Sequence, residues 1–109
     1  MAQRKRPMPL LSAKQKLILE LLVGGDCYGL QLVAKSKGKL KRGTVYVTLG
    51  RMQDKGYVES RTEPLPPGAI GLPRRWYRPT DYGMRVLNAW AMAARSFAAQ
   101  SQEIRSGAA

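Results

Sequence analysis

Apolar positions along the chain cluster into stretches broken by glycine, proline or lysine, and the spacing within each stretch predicts an element. Leu17, Ile18, Leu21 and Leu22 supply one apolar face, with Lys14, Lys16 and Glu20 polar, the pattern of an amphipathic helix. Ser12 stands three residues before Gln15, the spacing at which a serine hydroxyl and a glutamine side chain satisfy each other's backbone donors. The helix is therefore expected over Ala13–Val23, and Gly24 and Gly25 tolerate the left-handed conformations that close a C-terminus. Asp26 is placed to cap a second, short helix in which Tyr28, Leu32 and Val33 share a side and which ends around Lys35 to Gly38. From Lys35 to Gly43 the chain is too polar for a core and reads as a connector.

A third helix is predicted from roughly Arg42 to Lys55, and its faces separate clearly. Val45, Leu49 and Met52 point one way, whereas Thr44, Val47, Thr48, Arg51 and Lys55 point another; Gly56 ends the pattern. Two short runs suited to strands follow, Tyr57–Thr62 and Arg74–Arg78, the latter closed by Pro79. Between them Pro64 to Pro73 holds four prolines and two glycines, so the pair is expected to form a hairpin with a long tip. If that strand alternates, one of Trp76 and Tyr77 packs inward and the other points out. Thr80 then caps a last helix from Asp81, whose carboxylate suits the positive end of the helix dipole. Gly83, Leu87, Trp90, Ala94, Phe97, Ser101 and Ile104 repeat at alternating spacings of four and three, a coiled-coil-like seam weakened by Gly83 and Ser101.

The order of helix, helix, basic connector, helix and hairpin is that of a winged helix-turn-helix. The fold class expected is α+β, mainly helical, with a C-terminal dimerisation helix. Residues 1–9 read as a mobile basic arm bearing Arg4, Lys5 and Arg6, residues 10–80 as the winged-helix domain, 81–104 as the dimerisation helix and 105–109 as a disordered tail.

Length and charge sharpen this picture. At 109 residues there is room for one domain and none for a separate catalytic module, and a core this small gains from dimerisation. Nineteen lysines and arginines against seven acids leave a net charge of +12, a balance that favours a polyanionic partner, nucleic acid first. Between Lys35 and Lys55 seven basic residues face the single acid Asp54, half of the net charge in a fifth of the chain. Histidine is absent and Cys27 is the single cysteine, so imidazole bases, Cys/His zinc sites and intrachain disulfides are excluded. Cys27 reads as a small core or near-surface residue. No phosphate-loop or nucleophile motif is present and no apolar run is long enough to span a bilayer, so neither an enzyme nor a membrane protein is expected, and no cofactor. The chain reads as cytoplasmic, associated with the nucleoid when bound.

In a winged helix the third helix enters the major groove and its outward side chains reach base edges. Arg51 suits guanine, Thr44 and Thr48 bond a phosphate or a base, and the Val47 methyls suit a thymine methyl. Lys39, Lys41 and Arg42, at the helix entrance, are expected on phosphates, with Tyr46 and Lys55. Arg61, Arg74 and Arg75 are assigned to the wing, and the arm is expected to add Arg4, Lys5 and Arg6.

Three segments resemble the PadR family of bacterial transcriptional regulators. They are Tyr28-Gly29-x-x-Leu32, the run Gly43-Thr44-Val45-Tyr46-x-x-Leu49-x-Arg51-Met52-x-x-x-Gly56-Tyr57-Val58, and Arg75-Trp76-Tyr77-Arg78-x-Thr80-Asp81-Tyr82-Gly83. The resemblance implies a homodimeric winged-helix repressor of the short, single-domain type, bound to an inverted repeat in double-stranded DNA. Its final helix would pack on its counterpart, here through Leu87, Trp90, Ala94, Phe97 and Ile104. Some members take small aromatic ligands at that interface, which would place such an effector beside Trp90, although burial of apolar area is the commoner use of a seam tryptophan. Val47 departs from a proline frequent in the family, Pro79 from an apolar residue, and the Pro64–Pro73 tip is longer. Two other readings stay open: non-specific nucleic-acid packaging or RNA binding, and docking of an acidic protein.

Overall fold

The computed structural model describes residues 10–107, with side chains as far as Ser96. The predicted arm with Arg4, Lys5 and Arg6 lies outside the described residues. The elements are α1 (Ala13–Val23), β1 (Cys27–Tyr28), α2 (Gly29–Lys35), α3 (Arg42–Asp54), β2 (Val58–Glu63), β3 (Arg74–Pro79) and α4 (Asp81–Gly107). The α+β class, mainly helical with a winged hairpin, is thus as expected. The strands form one antiparallel sheet in the order β1-β3-β2.

The predicted capping box is formed, since the Gln15 N–H donates to Ser12 Oγ and the Ser12 N–H to Gln15 Oε1, each at 3.1 Å. The buried face of α1 is broader than the periodicity indicates. Gln15, Ile18, Leu19 and Leu22 are buried, while Leu17 and Leu21 are half-buried. Neighbours on several sides account for this, because α1 packs on α3, α4 and β3 together.

Asp26 does not cap α2, contrary to expectation. Cys27 and Tyr28 are extended and pair with Tyr77 and Trp76, so Tyr28 becomes the residue preceding the helix, its N–H donating to Gln31 Oε1 at 3.1 Å. The Asp26 carboxylate instead accepts from Arg61 of β2 at 2.5 Å. A two-residue strand has no period to detect, and it forms only because β3 offers a free edge. The connector is also not wholly polar in its role: Leu40 and Ser36 are buried. Ser36 Oγ donates to the Val33 carbonyl at 2.7 Å and accepts from the Leu40 N–H at 3.0 Å, and the turn at Lys37 (φ 53°) and Gly38 (φ 88°) returns Leu40 to the core.

Val45, Leu49 and Met52 hold α3 on that core with no exposed surface, as their spacing predicts. On the hairpin Tyr77 is buried and Trp76 half-buried, the alternation expected of the strand. The register runs from Val58 opposite Pro79 to Glu63 opposite Arg74. The core also reaches past residue 80 into α4, where Val86 and Leu87 are buried with the rest and Trp90 packs against its edge. Gly83 and Leu87, the first seam positions, are therefore enclosed within their own chain, and α4 runs on to Gly107 rather than ending at residue 104.

α4 joins α3 and the sheet at one junction. Thr80 Oγ1 donates to the Gly56 carbonyl at 2.5 Å and accepts from the Gly83 N–H at 2.9 Å, while the Thr80 N–H donates to the Tyr57 carbonyl at 3.0 Å. Gly56, at φ 80°, takes the left-handed turn that ends α3. Burial, with the Tyr82 phenol beside it, pushes the Tyr57 hydroxyl above its ordinary pKa, so the ring stays neutral in the core. A Cβ on residue 83 would lie 2.1 Å from the Tyr57 carbonyl oxygen, a backbone atom that cannot step aside alone. Gly83→Ala is therefore expected to destabilise the fold by about 1–3 kcal/mol despite the better helix propensity of alanine. Urea unfolding checks this, and an unchanged or raised midpoint would show that α4 does not approach so closely.

Candidate nucleic-acid interface

The residues that fix α3 to the core also decide what it presents outward. Val47 and Arg51, opposite the Val45–Leu49–Met52 seam, are exposed, with Val47 at 57%. Thr44 and Thr48 each precede a buried residue, so they flank the seam and are half-buried. They turn toward α1, and with Ser12, Lys14, Gly43, Val47 and Arg51 they line a cleft of about 470 Å³. All four residues of the expected base-reading set thus border one cleft, Val47 and Arg51 exposed and Thr44 and Thr48 half-buried. Lys14 faces the same cleft and was not marked by the sequence, because only the tertiary packing of α1 on α3 brings it there.

The cations assigned to phosphate lie at both ends of α3. Lys39, Lys41 and Arg42 are exposed at its entrance, whereas Lys55 caps its far end with Nζ 5.9 Å from the centre of the Tyr57 ring. Tyr46, 47% exposed, lays its ring against Gly29 at the start of α2. A Cβ at residue 29 would stand 2.6 Å from that ring, so glycine there lets the two helices meet. Helix α3 carries two more glycines, Gly43 and Gly50, that the motif reading passed over as site residues. Both are exposed and a Cβ on either would meet nothing within 4 Å, so neither the backbone nor the packing of the free chain requires glycine.

The three wing arginines do not line one cleft. Arg74 and Arg75 border a second cleft, of about 690 Å³, together with Tyr28, Arg42, Tyr46 and Leu72. Arg61 shares a sheet face with Trp76 and Arg74 but lies outside that cleft, tied to Asp26 and 5.7 Å from the Trp76 ring. There Trp76 meets Tyr28 edge-on at 5.1 Å and donates from Nε1 to Glu63 at 2.8 Å, and Arg74 covers the Tyr28 ring at 4.8 Å. Arg78 pairs with Glu59 across the strands. These exposed pairs each contribute little to stability, but together they set how the hairpin stands on β1.

Along α4, Leu87 is buried, Trp90 half-buried and Ala94 exposed; the side chains of Phe97 and Ile104 lie outside the described residues. Cys27 is fully buried, with Lys35 Nζ 3.4 Å from its sulfur. Among the described residues no group of acids, histidines or cysteines could hold a metal ion, and no helix is long and apolar enough to cross a membrane. What the surface offers is a helix with basic ends, flanked by two clefts, with a hairpin beside it.

Residues 18–89 match the family model described as the transcriptional regulator PadR-like family. Among solved structures the chain is similar to a PadR family transcription regulator from Clostridium difficile R20291, at 26% identity and a TM-score of 0.66, covering 82% of this chain and 94% of that one. A PadR family transcriptional regulator from Eggerthella lenta DSM 2243 is 25% identical at a TM-score of 0.65, over 82% of this chain and 78% of its own. Bacillus subtilis PadR in complex with operator DNA shares the fold at 24% identity and a TM-score of 0.66, over 73% of this chain and 47% of that one. No curated protein sequence matches the chain.

The contact of Tyr46 with Gly29 carries its own test. Gly29→Ala is expected to cost about 1–3 kcal/mol by displacing the ring, and most of that cost should disappear in a Tyr46→Ala background. Thermal unfolding of the four variants measures the coupling, and additive effects would mean that the ring does not rest on residue 29.

Proposed function

Because the chain belongs to the PadR-like family of transcriptional regulators, we propose that it is a repressor that binds an inverted repeat in double-stranded DNA as a homodimer. The observation that carries this reading is the outward face of α3, where Val47 and Arg51 stand exposed between basic ends. A helix of this width fits the major groove, and an exposed arginine beside a methyl-bearing side chain matches the guanine and thymine edges found there. Thr44 and Thr48 reach the groove wall from the α1 side. Lys39, Lys41, Arg42, Tyr46 and Lys55 contact phosphates at the two ends, and Arg74 and Arg75 extend the contact along the wing. Arg61, paired with Asp26, contributes least of the three wing arginines. Arg4, Lys5 and Arg6 add sequence-independent charge.

Gly43 and Gly50 gain a reason on this reading. Helical glycine costs roughly 0.5–1 kcal/mol relative to alanine, and nothing in the free chain offsets that cost at these positions. A groove wall that approaches the α3 backbone would exclude a Cβ there.

Dimerisation is assigned to α4 beyond its buried first turns. Leu87 serves mainly its own core and Trp90 stands at the margin, so the interface is read as running outward from Trp90 through Ala94, Phe97 and Ile104. A small aromatic effector, where the dimer takes one, belongs beside Trp90. Repression follows by occlusion, since a bound dimer blocks the site it covers.

The deciding experiment is selection of bound duplexes from a random pool at physiological salt. Enrichment of an inverted repeat with half-sites roughly 34–36 Å apart supports the reading, and an unenriched pool would favour non-specific packaging. On the selected duplex, Arg51→Ala should cost about 1–3 kcal/mol and relax preference at one base position, whereas Lys39→Ala should weaken all sequences alike. Gly50→Ala should raise the thermal midpoint while weakening the complex, and equal losses for Arg51→Ala on specific and random DNA would remove its base-reading role. Trp90→Ala should shift the protein toward monomer in sedimentation equilibrium, and an unchanged mass would place the interface elsewhere.

A further inference from the structure

The cleft of about 690 Å³ bordered by α2, the start of α3 and the foot of the hairpin falls within the roughly 300–1,000 Å³ of small-molecule sites. Arg42, Arg74 and Arg75 border it, and no acid does. Among the described residues the ion pairs engage Arg61 and Arg78, and none reaches these three arginines. Glu63, opposite Arg74 in the sheet, has its carboxylate engaged by Trp76 Nε1 at 2.8 Å.

The remaining lining is not what a phosphate chain alone asks for. Leu30, Ala34 and Leu72 add apolar surface to the cleft, Leu30 46% and Leu72 89% exposed. Tyr46 rests on Gly29 yet stays 47% exposed, and it stands one turn after Arg42 on the same side of α3. Gln31 Oε1 accepts from the Tyr28 N–H at 3.1 Å, which leaves the amide nitrogen of that side chain to donate elsewhere. An aromatic ring and apolar surface suit the face of a heterocycle, an amide donor suits its edge, and guanidiniums bind phosphate oxygens in pairs. A lone carboxylate would leave most of this charge uncompensated. A closed duplex keeps its bases in the stack and offers the cleft only its backbone.

We propose that the cleft binds a free nucleoside diphosphate, its phosphates on Arg42, Arg74 and Arg75 and its base against Tyr46 and the apolar wall, and that the bound nucleotide excludes the duplex. The exclusion rests on the reading of Arg42, Tyr46, Arg74 and Arg75 as phosphate contacts of the operator, since one set of groups cannot hold both anions. Occupancy then lowers operator affinity by mass action, the more so as the nucleotide exceeds its own dissociation constant. Leu30, Gln31 and Ala34, which the duplex reading does not use, serve the nucleotide alone.

The test uses the full-length protein, the four nucleoside diphosphates ADP, GDP, CDP and UDP, and constant ionic strength without divalent cations. Isothermal titration should show at least one of them binding once per chain, with adenosine or the matching nucleoside, and inorganic pyrophosphate, each weaker by at least roughly tenfold. Failure of all four while selection still recovers half-sites would overturn this proposal alone. A nucleotide that binds while no half-site is enriched would overturn the reading beneath it and leave the cleft's ligand standing. Pyrophosphate binding as well as the diphosphates would reduce the cleft to a cluster of cations and overturn the assignment of the base. Ala34→Phe fills the cleft without adding charge at an exposed position and is checked for an unchanged thermal midpoint. It should abolish nucleotide binding and nucleotide release of the selected duplex, and keep duplex affinity within about twofold. Nucleotide affinity that survives Ala34→Phe, or a duplex that stays bound at saturating nucleotide, would overturn the site or the exclusion respectively.

Discussion

The approach of α4 to the Tyr57 carbonyl governs how the remaining elements sit. At that point the end of α3, the start of β2, the end of β3 and the first turn of α4 meet, and Thr80 bonds to Gly56, Tyr57 and Gly83 at once. Gly56 supplies the left-handed turn and Gly83 the absent Cβ, so each glycine answers a geometric demand that no other residue meets without strain. Because α3 ends at the same junction, its orientation relative to the hairpin follows from these few bonds. A surface shared by two separate elements needs that constraint, since neither α3 nor the hairpin is long enough to fold alone.

The second constraint is the sharing of one small core among all elements. Leu19, Leu40, Leu49 and Val86 come from four different segments and are all buried in one cluster. This leaves α3 with one seam to bury and a full outward face, and it commits the first turns of α4 to the protomer. The polar interactions on the outer sheet face, from Asp26 and Arg61 through Trp76 to Tyr28 and Arg74, add alignment rather than much stability. They hold the hairpin against β1 and so set the direction in which its tip projects.

Much of this was legible in the chain because the signals are local. The capping box at Ser12 and Gln15, the seam of Val45, Leu49 and Met52, the stop at Gly56 and the cap at Thr80 all depend on residues within a turn or two of one another. Where the reading failed, the deciding contact was distant. Asp26 has the chemistry of a cap but sits beside Arg61, and Cys27 and Tyr28 become a strand because β3 has an unpaired edge. Leu40 stands in a lysine-rich run and is buried because the Ser36 hydroxyl folds the connector over it.

The candidate site divides in the same way. Which α3 residues face outward was fixed by helical periodicity and the position of the apolar seam, and the basic character of its ends by composition. That Thr44 and Thr48 line a wall with Lys14, that Arg61 is paired while Arg74 and Arg75 share a cleft with Tyr46, and that Gly83 and Leu87 are enclosed rather than offered to a partner were decided by packing. A helix period states which residues share a face, and only the elements brought against that face determine which of them stay open to a partner.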